Sequence, residues 1–167
     1  MAVTPDQIKQ LRELTGAGVM DCKRALEESG GDINKAVKVI EAQGLERAGK
    51  RAGREASQGV IESYIHQSRI GALVELNCET DFVARTEDFR TLAREIAMQV
   101  ASMGPKYLSK DDVPTGTDED PKQVALLEQP YIRDASRTIG QLVIETSAKT
   151  GEKVAVRRFS RFELGRE

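Results

Sequence analysis

Asn77-Cys78-Glu79-Thr80-Asp81-Phe82-Val83-Ala84-Arg85 is where the chain changes its period. Just upstream, Ile70, Ala72, Val74, Leu76 and Cys78 recur at every second residue and share one face. Gly71, Leu73, Glu75 and Asn77 take the other, the pattern of a strand with one buried side. Downstream, Phe89, Leu92, Ala93, Ile96, Val100 and Met103 recur at helical spacing behind a Thr86-Glu87-Asp88 start, and Gly104-Pro105 stops them. The nine residues between form a strand-to-helix corner with an aromatic ring beside a carboxylate. Corners present side chains to partners rather than to the core. This corner is therefore the candidate site, and the rest of the chain holds it in place.

Working outward, Gly59 to His66 places Ile61, Ser63 and Ile65 on one face and joins the Ile70–Cys78 run through a short polar tip. The two read as an antiparallel hairpin with one buried face. Beyond the long helix, residues 106–120 are polar and turn-rich and read as a mobile loop with one helical turn. Pro121 opens a short helix bearing Val124, Ala125 and Leu127; Ser136 caps another with Ile139, Leu142, Val143 and Thr146 inward and Gly151 after its end. Glu152 to Leu164 reads as a strand with Val154, Val156, Phe162 and Leu164 in one phase and Phe159 in the other. A bulge or two-sided packing at Arg157-Arg158 would reconcile them. An antiparallel sheet of about three strands, covered on one side by helices, is expected.

Toward the N-terminus, Thr4 and Gln7 make a capping box around Pro5, with Ile8, Leu11 and Leu14 as a stripe. Gly16 and Gly18 break that helix, and a second follows with Cys22, Ala25, Leu26 and Ser29 on one face. Asp32 caps a third, with Ile33, Ala36, Val37 and Ile40 inward and an end at Gln43-Gly44. The fold class is thus α+β, with residues 1–45 as a three-helix docking module similar to the ubiquitin-associated type, 46–58 as a basic linker and 59–167 as an α+β core domain. In the linker, Arg47, Lys50, Arg51 and Arg54 are interleaved with small residues, a helix tail or a candidate phosphate contact.

The 167 residues are 39% hydrophobic and 31% charged, the composition of a globular chain with a well-solvated surface. The net charge of −2 argues against a general nucleic-acid binder. No apolar run approaches the roughly 20 residues of a membrane span. Met1 to Asp6 lacks a basic region followed by an apolar core, so no secretion signal and a cytoplasmic location are expected. Cys22 and Cys78 have no metal-type spacing and read as buried reduced thiols, with a disulfide as the alternative. The single histidine, His66, lies in the hairpin tip and reads as a turn residue. GxxxxGK[ST], GxGxxG, HExxH, GxSxG and CxxC are all absent. No enzyme activity, cofactor or metal is expected, and a binding protein is the better class.

Here the residues carry a resemblance. Thr15-Gly16-Ala17-Gly18-Val19-Met20-Asp21-Cys22-Lys23-Arg24-Ala25-Leu26 and Glu79-Thr80-Asp81-Phe82-Val83-Ala84-Arg85 resemble the two signatures of the elongation factor Ts family. Gly140-Gln141-Leu142 and Arg157 to Glu163 resemble its C-terminal segments. Val19 stands where some members have methionine, so a contact there would be smaller. The resemblance implies a guanine-nucleotide exchange factor that binds elongation factor Tu and promotes GDP release in translation elongation. It implies that Thr80, Asp81, Phe82 and Val83 act as a wedge near the nucleotide site, while the N-terminal module docks through Lys9, Arg12, Val19, Met20 and Lys23. Longer members carry two hairpin-plus-helix units; the single unit here implies the short form, associated with homodimers. The alternative class is a non-enzymatic adaptor that binds RNA through Arg47 to Arg54 and Arg157 to Arg161.

Overall fold

The computed structural model describes residues 3–167; Met1 and Ala2, part of the stretch read for a leader, lie outside them. The architecture is α+β. Strands β1 (Gln58–His66) and β2 (Ile70–Cys78) form the expected antiparallel hairpin, and β5 (Ala155–Glu163) pairs antiparallel with the other edge of β2. The order β1-β2-β5 makes β2 the central strand. The three-residue connection Gln67-Ser68-Arg69 turns on Gln67 and Ser68, which both adopt positive φ, +49° and +56°, with the Arg69 N–H donating to the His66 carbonyl at 2.9 Å. Ala72, Val74, Leu76 and Cys78 are buried along the face the alternation marks.

Helix α5 (Glu87–Met103) covers that face. Thr86 accepts the Phe89 N–H, Glu87 and Asp88 favour the positive first turn, and Gly104 closes the helix in a left-handed conformation. Phe89, Leu92, Ala93, Ile96 and Val100 are buried against the sheet, while Met103, expected in the same stripe, is exposed at the helix end. Helix α7 (Ile139–Thr150) adds Ile139, Leu142 and Val143 to this core.

Two strand phases differ from expectation. Ile61, Ser63 and Ile65 do share a face of β1, but it is the open face; Val60 and Tyr64 pack toward the core instead. In β5, Val156 pairs with Leu76 and Arg158 with Glu75, so Arg157 is an extra, bulged residue. The bulge reverses the alternation. Val156 and Phe159 therefore both face the helices, and Phe162 and Leu164 emerge on the open side.

The N-terminal helices are α1 (Pro5–Thr15), α2 (Val19–Glu28) and α3 (Ile33–Arg51), packed around Leu11, Cys22, Ala25, Leu26 and Ala36. The Thr4–Gln7 capping box forms, whereas Leu14 is exposed rather than part of the stripe. Helix α3 does not stop at Gly44 but runs to Arg51, so the basic stretch begins as helix. Glycine inside a helix costs about 1 kcal/mol. That cost is offset here by packing on α7, where Gly44 faces Ile144 and Arg51 donates to the Ser147 carbonyl and hydroxyl at 3.2 and 3.1 Å. At Gly16 (φ +67°) the Lys149 stem occupies the space a Cβ would take, a second contact with α7.

Between α5 and α7, residues 106–120 contain a single 3-10 turn at Lys110–Asp112, followed by a one-turn helix α6 (Pro121–Val124). A small hairpin, β3 (Pro130–Tyr131) with β4 (Asp134–Thr138), follows and was not expected. Ser136 lies inside β4, bonded to Asp134, so the cap of α7 is Thr138, which forms a capping box with Gln141.

Candidate functional site

The corner folds as one extra helical turn, α4 (Asp81–Ala84), between β2 and α5. Thr80 has extended backbone and its hydroxyl accepts the Val83 N–H at 3.4 Å, so Thr80 is the cap and not Asp81. The single turn then sorts its side chains. Ala84 is buried and Val83 packs against the sheet core. Asp81 faces solvent and pairs with Arg85 at 3.0 Å. Phe82 is 79% exposed, although Phe89 seven residues later is fully buried. The four residues of the corner motif thus divide: Thr80 and Val83 anchor the turn, and Asp81 and Phe82 are presented.

Directly behind the turn, the buried Cys78 thiol donates to the Thr80 carbonyl at 3.1 Å. Cys22 is also buried, and both cysteines are free. Burial, aided by the Glu152 charge, pushes the Cys78 thiol up to about 11 from its ordinary 9.0. The unfolded chain therefore releases this proton first as pH rises. Stability is expected to fall between about pH 9 and 11 by up to roughly 2–3 kcal/mol, with the thiol contribution fully present below pH 9. Urea unfolding at pH 8 and pH 10.5 checks this, with Cys78→Ala expected to flatten the decline.

The corner is also tied to the loop after α7. Thr80 donates its N–H and its hydroxyl to Glu152, at 3.0 and 2.9 Å. In return, Glu79 accepts the Lys153 N–H at 2.7 Å and an Arg54 N–H at 3.3 Å. These bonds hold the Glu79 carboxyl below the usual carboxylate range, the Lys153 N–H first and the Arg54 guanidinium after it. Sequence reasoning did not find Glu152 or Lys153. They lie 72 or more residues from the corner, and only a position just past a helix-ending glycine marks them.

The N-terminal candidates sit on α1 and α2. Lys9, Arg12, Val19, Met20 and Lys23 are all exposed, with Lys23 in a loose pair with Glu27 at 3.9 Å. Leu14, read as core, instead joins Val19 and Met20 as an exposed apolar side chain of this module. The basic runs are differently placed. Arg47 makes two bonds of 3.0 Å to Asp21, whose carboxyl it holds below the usual range. Lys50 pairs with Glu46 and Arg54 with Glu79. Arg157 and Arg158 converge on Glu75, and Arg161 binds Glu163 and the Ala101 carbonyl. These cations are engaged within the fold.

Among the described residues, no group of three or more His, Cys, Asp or Glu side chains could hold a metal ion, and no helix is long and apolar enough to cross a membrane. The corner presents a ring and a carboxylate side by side to solvent.

Comparison with known proteins adds an independent observation. A family model described as Elongation factor TS matches residues 4–124, which include both N-terminal and corner motifs. Elongation factor Ts of Thermodesulfovibrio yellowstonii is 44% identical, over 99% of this chain and 98% of its own length. Elongation factor Ts of Coprothermobacter proteolyticus is 46% identical over 99% and 100%, and that of Carboxydothermus hydrogenoformans 45% identical over 98% and 89%.

Proposed function

Because the chain belongs to the elongation factor Ts family, we propose that it is a guanine-nucleotide exchange factor for elongation factor Tu, speeding GDP release in translation elongation. It acts in the cytoplasm as a binding protein, not as an enzyme, and makes no direct contact with nucleic acid. The observation that carries this reading is Phe82, an aromatic ring 79% exposed on a turn fixed at both ends. A ring held out in solvent on an anchored turn is available for burial on a partner, where aromatic side chains dominate interface energetics.

The mechanism is a trade of binding energies. A nucleotide held at nanomolar affinity represents about 12 kcal/mol. A factor that binds the empty partner best weakens the nucleotide, and the nucleotide weakens the factor equally. Burial of Phe82 supplies roughly 1.5–3 kcal/mol of that exchange. Asp81 acts beside it by charge on the magnesium shell of the partner's nucleotide. The ring alone is too weak to hold the open state, so the N-terminal module supplies grip through Lys9, Arg12, Val19, Met20 and Lys23. Engagement of Arg47, Arg54, Arg157, Arg158 and Arg161 by carboxylates favours this reading over RNA binding.

A second copy of the chain completes the assembly. The open sheet face exposes Ile61, Ile65, Leu73 and Phe162, the last three of which line a depression of about 610 Å³. An apolar face of this kind on a sheet marks an interaction surface. Leu73→Glu places a charge at its centre without entering the core, and is expected to convert dimer to monomer in sedimentation equilibrium. A wild-type chain that is monomeric at tens of micromolar would contradict the homodimer.

The exchange reading is tested by release of labelled GDP from elongation factor Tu with and without this chain. Acceleration is expected, and unchanged release at saturating chain would refute it.

A further inference from the structure

The corner must push without yielding, yet α4 is a helix of only four residues. An isolated turn of that length has no stability of its own. Its support comes from a reciprocal exchange of carboxylates. Glu152 takes the N–H of Thr80, the residue after Glu79; Glu79 takes the N–H of Lys153, the residue after Glu152. Each chain crossing thus caps the other with a charged acceptor, the stronger class of hydrogen bond. The Thr80 hydroxyl donates to Glu152 while accepting from Val83, so the same bond that anchors the corner also fixes the first turn of α4.

The exchange extends to the docking helices. Lys153 donates its ammonium to the Ala52 and Arg54 carbonyls at 2.7 and 3.0 Å, just past the end of α3. Arg54 donates to Glu79, Arg51 to Ser147, and the Ser147 hydroxyl to the Glu152 carbonyl at 2.6 Å. A continuous set of bonds therefore runs from the end of α3 to Thr80.

We propose that Glu152 and Glu79 are positioning residues for nucleotide exchange, fixing the attitude of the Asp81–Phe82 turn relative to the N-terminal helices. This rests on the exchange reading above. Both carboxylates are turned to the fold's own N–H groups and act through the turn, chiefly through Phe82. A site displaced by the loss of its supporting shell loses efficiency even when the contact residue is intact. The bonds are partly solvent-exposed, so the effect is moderate.

The test is labelled-GDP release from elongation factor Tu stimulated by the full chain, with Glu152→Ala, Glu152→Gln, Glu79→Ala, Phe82→Ala and the pairing of Phe82→Ala with each alanine variant. Glu152→Ala and Glu79→Ala are each expected to slow stimulated release about fivefold. Glu152→Gln, whose amide oxygen still accepts from Thr80, is expected to stay within about twofold of wild type. In the Phe82→Ala background each carboxylate change is expected to add less than about twofold, because the ring it positions is gone. Effects that multiply in the double variants, a Glu152→Gln as slow as the alanine, or full-speed alanine variants would each overturn the proposal. If Glu152→Ala does not fold, the Glu79→Ala pair decides by the same criteria. A wild-type chain that fails to accelerate release overturns the exchange reading and this proposal together, whereas a slowed Phe82→Ala beside unaffected carboxylate variants overturns this proposal alone.

Discussion

Replacing Phe82 by alanine is expected to slow stimulated GDP release by roughly 10- to 100-fold, the rate equivalent of losing about 1.5–3 kcal/mol of ring burial on the partner. Folding should be almost untouched, because the ring is 79% exposed and leaves no cavity when removed. Its turn keeps the Thr80 cap, the buried Ala84 and the Val83 contact with the sheet. Stopped-flow release with the variant measures the first effect and thermal unfolding the second. A variant that melts far below wild type would place Phe82 in the core and end its role as a wedge.

Phe89→Ala should do the reverse. That ring is fully buried between α5 and the sheet, among the largest buried side chains of the chain. Deleting it removes apolar contact and leaves a cavity that the surrounding core fills only in part, at a cost of about 3–5 kcal/mol. For a chain of this size the unfolding midpoint should fall by on the order of 10 °C. Below that midpoint the surviving folded protein keeps its corner, so release per folded molecule should change little. Two phenylalanines of one short segment thereby separate function from stability. Comparable losses of stability from both substitutions would contradict the division.

Much of this was legible because periodicity and capping are local. The change from a period of two to 3.6 located β2, α5 and the corner between them. Thr4, Asp32 and Thr86 marked helix starts that the structure keeps. What was not legible depends on distant contacts. Ile61, Ile65 and Phe162 are apolar on a face that no helix covers among the described residues, so apolar alternation alone pointed to the wrong side. The bulge at Arg157 then reversed the phase of everything after it. Gly44 carries the residue type of a helix end, yet α3 continues because α7 packs on it.

The site divides in the same way. Asp81 and Phe82 stand at a corner whose position follows from the pattern around it, and the family resemblance implied their role. Glu79 is in that motif, but its bond to Lys153 is not deducible from it. Glu152 belongs to no motif, and its bond to Thr80 exists only because β5 returns alongside β2 and brings the loop after α7 to the corner. Leu14 looked like core because it continues the spacing of Ile8 and Leu11, but α1 buries only Leu11 fully.

On the proposed function, binding of this chain and binding of GDP oppose each other on elongation factor Tu. The direct measurement is the affinity of the chain for nucleotide-free and for GDP-saturated elongation factor Tu, by titration calorimetry under one set of conditions. Much tighter binding to the empty form is expected, with GDP weakened by the same factor when the chain is bound. Equal affinity for the two forms would contradict it, since a factor indifferent to nucleotide cannot shift its release equilibrium.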